Sequence, residues 1–549
     1  MRRSWYLTAI GILVVVGTEV SGSIAGGAAS ALIFAVSYTF WSQSIIAEVY
    51  ALHAIFVAIT LLLILRWQRD PSDRRLLIFF AVYALGFGNH LSMVLLMPAY
   101  TLFLLSAAPR GWRSMFAPRI VAMATICAAT GAMQYAWNLR TYWYLPDPPA
   151  GVADALGRFW FDVTKADWRD TMVLNVPRSL FSDHAAMYWF DVRQQFGIVG
   201  PLLAFAGLVY LAATDRRRAL LMMTLFAVNV AFAYSYNVGD AHVFYLPSHL
   251  MLALLIAPAL ASLRRLTPHA ATIAAALVAG YAGVRAYRDF PALDRSGDDR
   301  PAQLLASMTA GLDDRRSILL ADLNWQVQNG LSYDSTVTHQ EIAWARMPDV
   351  MLYAPTLVAD NAAVGRDVTL TERARATLEA AYGPLLPTTR DPRVAAPTLS
   401  QSTGRVAPGV RYVLCVLRPS RDLALDPSEL DRTLRQLAGA PVSLPPKDYV
   451  AVAGRAGQTP LLVDGSDVPF RRRLDLDGVD VEIRMESWLQ SDTIRRMGFG
   501  HVIAARRHTL IVERGVSFAA FDEHGVALTT AYASNIFAPQ PRYLVRFAP

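Results

Sequence analysis

The sequence predicts a polytopic α-helical membrane domain of about ten helices, followed by a soluble α/β and β-rich region. The 549 residues are 54% hydrophobic and only 17% charged, whereas an ordinary soluble domain is about 25% charged. Long apolar runs stop near residue 288, and the rest of the chain carries a charge every few residues. A wholly soluble enzyme is therefore excluded, and the domain count must come from hydropathy rather than from length.

The first region, residues 1–288, contains the apolar runs, and several of them are shorter than the roughly 20 residues that span a bilayer core. We expect the short ones to be tilted neighbours, half-helices or hairpins. The predicted helices are 5–20, 24–39, 44–65, 76–88, 91–107, 118–138, 196–213, 219–235, 243–263 and 270–287.

Arginine placement predicts the orientation, because short loops rich in Arg stay on the cytoplasmic side. Such loops lie at 66–75, 110–119 and 216–218, and Arg264 and Arg265 mark a fourth. With these loops inside, four other segments fall outside, namely the turn at Asn89 and His90, the long loop 139–195, the loop 236–242 and everything after residue 288.

The N-terminus conflicts with this topology. Arg2 and Arg3 should hold Met1 inside, yet ten crossings and an external C-terminus put it outside. We expect an absent upstream helix, and leave open a count wrong by one or a cleaved signal peptide at 1–22.

Charge and cysteine content say little about further partners. The formal charge is +7, but all basic residues except Lys165 and Lys447 are Arg, so membrane lipids rather than nucleic acid are the expected partner. Cys127 and Cys415 lie far apart and give neither a disulfide framework nor a metal-ligand spacing. No cofactor is predicted with certainty, and a divalent metal is left open.

Glu48 lies near the predicted external start of the helix 44–65. Ser42 or Ser44 could cap this helix, and its dipole would favour an anion in the first turn. Tyr50 and His53 lie three residues apart and so share a helix face. The residues suit a catalytic acid with neighbouring ligands, although Glu48 could be only a well-placed first-turn acid.

Two external loops carry further polar groups. Gly86 and Gly88 allow a tight reversal before Asn89 and His90, and His90 could bind phosphate or a sugar hydroxyl or only complete a turn. The segment 234–247 crowds polar and aromatic groups that suit carbohydrate but could also simply cap two helices. Its members include Asp240, His242 and Tyr245.

The external loop 139–195 is rich in aromatic residues, including Trp160. Trp and Tyr favour the membrane interface, so anchoring alone would account for this composition. Arg140 at a predicted external helix end is the best candidate for a lipid-linked phosphate, because guanidinium groups pair bidentately with phosphate oxygens.

Several of these motifs resemble the protein O-mannosyltransferase-like membrane proteins, a bacterial and eukaryotic family long catalogued as a domain of unknown function. The similar segments are Thr39-Phe40-Trp41 through Glu48-Val49-Tyr50-Ala51-Leu52, then Leu85 to Leu91, and later Phe159-Trp160 and the Asp240 segment. They occur in the family's order and cover roughly residues 5 to 285.

The resemblance implies a glycosyltransferase of the GT-C superfamily, which transfers a sugar from a polyprenyl-phosphate carrier to a protein or glycan acceptor on the external face. It implies a bacterial inner membrane location with a periplasmic C-terminal region. The superfamily's catalytic acid lies in the first external loop, and the chain is expected to begin after that loop, so a truncated or inactive relative is also considered.

On this interpretation, Glu48 and Asp240 are the candidate catalytic residues. The candidate substrate-binding residues are Trp41, Tyr50, Asn89, His90, Arg140, Trp160, His242 and Tyr245. The alternatives are a transporter, which should show repeat symmetry and midplane charges, or an anchor or scaffold that displays a binding domain.

The region after residue 288 is predicted to form an α/β domain, 289–445, and a β-rich domain, 446–549. Strands are expected at 317–322 and 412–417, and Asp426, Pro427 and Gly439 predict the cap, first turn and end of a helix. A hairpin is expected over 516–530, and Arg471 to Arg473 are interpreted as a solvated basic face. We expect this region to bind acceptor, glycan or a partner, or only to cap the membrane domain.

Overall fold

A computed structural model describes most of the chain. The described residues are 2–46, 49–145, 147–164, 176, 178, 181–236, 241–294, 300–313, 315–322, 325–337, 342–383, 386–394, 397–418, 426–467, 470–488, 497–504, 508–512, 515–533 and 541–545. The chain forms two compact units, the first Met1–Leu293 with Ser487–Met497 and the second Asp294–Glu486 with Gly498–Pro549.

The first unit is helical. Its α-helices are α1 Arg2–Ser21, α2 Ile24–Ala35, α3 Tyr38–Ile45, α4 Tyr50–Arg69, α5 Asp73–Asn89, α6 Met97–Ala107, α7 Pro118–Ala132, α8 Ala136–Tyr142, α9 Val152–Thr164, α10 Phe181–Phe196, α11 Val199–Thr214, α12 Arg216–Ser235, α13 Ala241–Phe244, α14 Leu246–Ser262 and α15 Ala270–Leu293. A 3₁₀ helix, Leu91–Leu96, joins α5 to α6.

By length and composition, five helices among the described residues could cross a membrane, and the number rises to seven if each of two bent pairs is one span. The bent pairs are α2 with α3, at 65°, and a segment of α10 with α11, at 90°. The membrane character of this unit is therefore supported, whereas the predicted count of about ten helices is not confirmed. The single spans are Tyr50–Arg69, Pro118–Tyr142, Arg216–Ser235, Leu246–Arg265 and Ala270–Phe290.

Small residues let the helix backbones approach closely, as in many membrane bundles. A Cβ on Gly17 in α1 would lie 2.8 Å from the Cα of Gly27 in α2. A Cβ on Gly207 in α11 would overlap the carbonyl of Leu255 in α14. These contacts fix two helix pairs at separations that larger side chains would not allow.

The arginine-rich loops converge at one end of this unit. Arg69 lies 3.0 Å from the carboxylate of Glu19, and Arg218 Nη1 donates to the Glu19 carbonyl at 2.7 Å. Arg264 donates to Ser23 Oγ at 3.0 Å, and Arg119 pairs with Asp73 at 2.9 Å. We call this the arginine end and define it by Arg69, Arg119, Arg218 and Arg264. That it is cytoplasmic stays a prediction.

The second unit mixes helices with strands. Its helices are α16 Arg300–Thr309, α17 Trp325–Val337, α18 Met347–Val350, α19 Ala354–Ala363, α20 Glu372–Tyr382, α21 Leu399–Thr403 and α22 Pro427–Ala438. Its strands, two of which reach into 487–497, are β1 Ser317–Ala321, β2 Trp344–Arg346, β3 Asp367–Thr371, β4 Thr388–Arg390, β5 Arg411–Leu417, β6 Tyr449–Arg455, β7 Leu462–Ser466, β8 Phe470–Leu476, β9 Val479–Trp488, β10 Met497–Ala504, β11 His508–Val512, β12 Gly515–Phe521, β13 Ala527–Ala533 and β14 Arg542–Val545.

These strands form three sheets, in the orders β2-β1-β3-β14-β4, β13-β12-β5-β6-β7 and β11-β10-β9-β8. In the first, β1 is parallel to both β2 and β3, while β14 is antiparallel to β3 and β4. The predicted domain boundaries stay predictions, but strands from both sides of residue 446 share two of the sheets.

Local signals in this unit agree with the sequence. Asp426 accepts a hydrogen bond from the Ser428 N–H at the start of α22, and Gly439 ends that helix with φ of 68°. The predicted strands appear as β1 and β5, and the predicted hairpin as β12 and β13. The basic run at 471–473 is not simply solvated, because each arginine pairs with a carboxylate. The pairs are Arg471 with Glu482, Arg472 with Asp464 and Arg473 with Asp480.

A buried ion pair fastens the first sheet. Arg542 of β14 is 2% exposed and contacts Asp391, which is fully buried, at 2.7 Å. Arg542 also donates to the carbonyls of Met308 and Ala310, each within 2.9 Å. Burial raises the pKa of Asp391, but hydrogen bonds from Arg393 and Arg542 outweigh this and lower it to about 2.

Candidate functional site

A hydrogen-bonded chain of two histidines and a serine lies where α4 begins and α5 ends. The backbone N–H of Ser92 points to Nδ1 of His90 at 3.2 Å, and Ser92 Oγ lies 2.7 Å from the same nitrogen. Ser92 Oγ also lies 3.1 Å from Nε2 of His53, which is 3% exposed. Nδ1 of His90 accepts a hydrogen bond from Ser92. We therefore assign the N–H proton of the His90 ring to its other nitrogen, Nε2.

Aromatic rings enclose this chain. The His53 and His90 centroids are 4.8 Å apart, and Tyr50 lies 5.6 Å from His90. The ring centroid of Phe244 in α13 lies 6.3 Å from that of Tyr50 and 6.3 Å from that of His90. The predicted common face of Tyr50 and His53 is therefore confirmed, and α13 joins the loop after α12 to this face.

The helix that follows Glu48 begins later than predicted. Residue 44 lies inside α3, the next helix starts at Tyr50, and no side chain caps it. Ser42 and Ser44 are not its caps, because their hydroxyls donate to carbonyls of α3 itself at 2.9 and 2.7 Å. Glu48 precedes α4 in the chain and lies outside the described residues.

Gly86 and Gly88 do not form the predicted reversal, because α5 continues through both to Asn89. Their role is close packing: a Cβ on Gly88 would overlap the Gln134 side chain, and one on Gly86 would lie 2.9 Å from Met93. The turn comes at His90, whose extended backbone starts the 3₁₀ helix. Asn89 donates weakly to the carbonyl of Val49 at 3.4 Å, which holds the two helix ends together.

The loop after α12 contributes a second group of residues. Asp240 lies outside the described residues, while His242 lies in α13 and Tyr245 follows it. Tyr245 is 1% exposed, with its ring 4.7 Å from Tyr188 and 6.2 Å from His249. Tyr245 is thus a buried link towards α10 and α14.

A buried acid and a buried histidine lie beyond Tyr245. His249 Nε2 is 2.9 Å from Oδ2 of Asp191, and both side chains are at most 1% exposed. The two atoms are close enough for an ion pair but are not aligned as a hydrogen bond, and Nδ1 of His249 has no hydrogen-bond partner in the described part of the chain. An ionisable pair inside a candidate span is costly and is usually kept for a function.

Gln195 connects this pair to the start of α3. Its amide donates to Asp191 Oδ1 at 2.8 Å and to Thr39 Oγ1 at 2.7 Å, while its oxygen accepts the Thr39 N–H at 2.8 Å. The chain then turns at Gly197, whose φ of 64° suits glycine. On the other side, Arg285 donates to the carbonyl of Gln194 in the last turn of α10.

These groups define the histidine end of the helical unit, marked by His53, His90 and His249. It is opposite the arginine end, since α4 starts here and runs to Arg69, and a 20-residue helix spans about 30 Å. Two of the segments that were predicted to be external contribute to this end, the turn at Asn89 and His90 and the loop 139–195, which supplies Asp191 and Gln195.

Three predicted ligands lie elsewhere. Trp41 packs against Phe290 of α15, with ring centroids 6.3 Å apart. Arg140 lies over the rings of Trp137 and Tyr144, at 5.3 and 5.6 Å. Trp160 of α9 is 67% exposed.

Sequence reasoning missed Ser92, Asp191, Gln195 and His249. A signal existed for His249, because it is the ionisable residue inside the apolar run 243–263. The others lie in segments where polar residues are common. Within the described residues, no group of three or more His, Cys, Asp or Glu side chains could hold a metal ion.

The fold and this site define a multi-helix protein of membrane-spanning character with a polar, histidine-containing site at one end of its helices. Residues 14–113 match a family model described as the protein O-mannosyl-transferase TMEM260 N-terminal domain. The match includes Tyr50, His53 and His90, and it supports a similarity of this part of the chain to protein O-mannosyltransferases. A search of curated proteins gave no match.

Proposed function

We propose that this protein is a membrane glycosyltransferase that transfers a sugar from a polyprenyl-phosphate carrier to a protein or glycan acceptor on the external face. The observation that carries the proposal is the chain His53–Ser92–His90 at the histidine end. His53 belongs to α4 and Ser92 to the 3₁₀ helix that follows α5. All three residues lie in the stretch similar to protein O-mannosyltransferases.

The hydrogen-bonded residues His53, Ser92 and His90 together supply one positioned hydrogen-bond donor. Ser92 donates to Nδ1 of His90 and so fixes the orientation of the His90 ring and of its Nε2–H. Ser92 is in turn held by its hydrogen bond to His53. A donor held in this way suits the oxygens of a leaving phosphate or a sugar hydroxyl, because preorganised donors stabilise developing negative charge. Arg140 would hold the carrier phosphate further out.

The acid of the reaction is proposed to be Glu48, which precedes Tyr50 by two residues, with Asp240 as the second candidate. A carboxylate here would deprotonate or orient the acceptor hydroxyl as it attacks the anomeric carbon. The new C–O bond forms as the bond to the carrier phosphate breaks, and the phosphate leaves with the bonding electrons.

The test uses the full chain in lipid nanodiscs with a panel of polyprenyl-phosphate sugars and acceptor peptides. Glu48→Gln and Asp240→Asn should abolish transfer, while Asp73→Asn, at the arginine end of α5, should retain it. Retained transfer in both site variants would show the catalytic assignment to be wrong. In sealed proteoliposomes, movement of the lipid-linked sugar across the bilayer without transfer would favour a transporter.

A further inference from the structure

Helix α9 presents an apolar stripe outwards. Residues four positions apart share a helix face, and two such rows lie side by side on α9. The rows are Val152, Leu156 and Trp160, and Ala153, Gly157 and Phe161. Val152 is 69% exposed, Leu156 50% and Phe161 49%. A helix of a soluble protein would turn this stripe to its core.

The other side of α9 is held by the protein through both polar and apolar contacts, including Phe159, whose ring centroid lies 5.8 Å from that of Tyr135. Arg158 lies 3.1 Å from Asp154 and donates to the carbonyl of Asp147 at 2.8 Å. The hydroxyl of Tyr142, at the end of α8, donates to Asp162. Ala155, on the same side of the helix, is fully buried, so α9 is attached through this side and leaves the apolar stripe exposed.

The apolar stripe continues a surface of the neighbouring candidate span. The span Pro118–Tyr142 has only 17% of its apolar window buried. Its exposed side chains include Ile126 at 64%, Met133 at 70% and Trp137 at 66%. Since such a surface on a membrane span faces lipid, α9 is attached to the lipid-facing side of the unit.

We propose that α9 is an interfacial helix whose partner is the bilayer surface, with Val152, Leu156 and Trp160 inserted at the boundary between headgroups and acyl chains. Amphipathic helices bind the interface in this way, and Trp and Tyr are enriched there. The inference goes beyond sugar transfer, because it concerns how the segment 147–164 is held at the membrane whatever the reaction.

Arg140 fits the same position. Its guanidinium lies over Trp137 and Tyr144 and makes no ion pair with any carboxylate of the described residues. Guanidinium groups near an interface extend to lipid phosphates, while their aliphatic stems cover apolar surface. Arg140, assigned above to the carrier phosphate, thus lies at the same headgroup level as the helix, where the phosphate of a lipid carrier would also lie.

The test places an environment-sensitive nitrobenzoxadiazole probe on single cysteines in nanodiscs of the full chain. Val152→Cys and Leu156→Cys report on the stripe, and Asp154→Cys, which lies about 160° away from both around the helix axis, is the matched control. The unsubstituted protein is the blank, because Cys127 and Cys415 are buried. Two quenchers are compared, shallow doxyl groups on the lipids and iodide in the buffer.

Probes at 152 and 156 should emit at shorter wavelength and lose most of their fluorescence to doxyl lipids but little to iodide. The probe at 154 should show less lipid quenching. Iodide quenching at both stripe positions would overturn the proposal. Resistance to both quenchers would also overturn it, because the stripe would then be covered by protein, and a disulfide between the unlabelled cysteines of two chains would identify a second copy as the occupant.

Discussion

Gln195 and Thr39 hold each other through two hydrogen bonds, although 156 residues separate them in the chain. Gln195 donates to the Thr39 hydroxyl and accepts from its backbone N–H. Thr39 lies just after the 65° bend between α2 and α3, and Gln195 just before the 90° bend that leads into α11. One amide side chain therefore fastens two broken helix pairs to each other at the histidine end.

Removal of this amide should destabilise the helical unit. Gln195→Leu leaves the Thr39 N–H and the Asp191 carboxylate without their partner, and an unsatisfied buried group costs about 1–3 kcal/mol. Thermal unfolding in detergent should show a lower midpoint. A cycle with Thr39→Val should give a coupling energy of about 0.5–3 kcal/mol, and additive effects would contradict a direct interaction.

Gly17→Ala should lower the stability of the helical unit. The new Cβ would meet the backbone of Gly27, which cannot move aside as a flexible side chain would. Overpacking costs about 1–3 kcal/mol, which exceeds the roughly 1 kcal/mol that Ala gains over Gly in a helix. Gly11→Ala in the same helix is the control, since nothing lies within 4 Å of its Cβ. Equal melting midpoints for the two variants would refute the close contact.

Asp391→Asn should strongly destabilise the first sheet. It leaves the guanidinium of Arg542 buried without its carboxylate, and breaking a buried pair costs about 3–5 kcal/mol. Asp480→Asn is the control, because its partner Arg473 is 59% exposed and surface pairs are worth about 0–1 kcal/mol. Hydrogen exchange of β3, β4 and β14 should rise only in the first variant.

The same carboxylate should make this sheet sensitive to acid. The pKa of Asp391 falls from its usual 3.8 to about 2 in the folded chain. A group with a lowered folded pKa stabilises the fold above its unfolded pKa, and this contribution is lost as the pH falls through the folded value. Stability of the sheet should therefore drop between pH 4 and 2. Asp391→Asn should remove this part of the pH dependence, and an unchanged acid profile would count against it.

His90→Ala should slow sugar transfer, if the proposed function holds, by about 10²–10³-fold, the loss seen when one preorganised donor is removed. The matched control is His269→Ala, which removes an exposed histidine just before α15, near the arginine end. Turnover of each variant in nanodiscs measures the effect. Equal turnover in both would mean that His90 only completes the turn between α5 and the 3₁₀ helix.

The convergence of the arginine-rich loops could be predicted because charge in short loops is a local feature. The later start of α4 could not, since neither Gly nor Pro marks the break between Ile45 and Tyr50. Cap residues such as Asp426 and Gly439 also act locally, and their helix was predicted to within a residue of its observed ends.

The candidate site was predicted only in part, for a physical reason. His53 and His90 lie near helix ends that the sequence marks, so their proximity was foreseeable. Asp191 and Gln195 reach His249 and Thr39 through tertiary packing across long chain separations. No periodicity or spacing in one sequence encodes such a contact.

The place of β14 in the first sheet has a consequence for biosynthesis. Arg542 is synthesised 151 residues after its partner Asp391. Until then, β3 and β4 lack the strand that lies between them. While the ribosome makes the intervening residues, β3 presents an open edge, which is a template for pairing with other chains. A chaperone that covers this edge during synthesis would prevent such pairing.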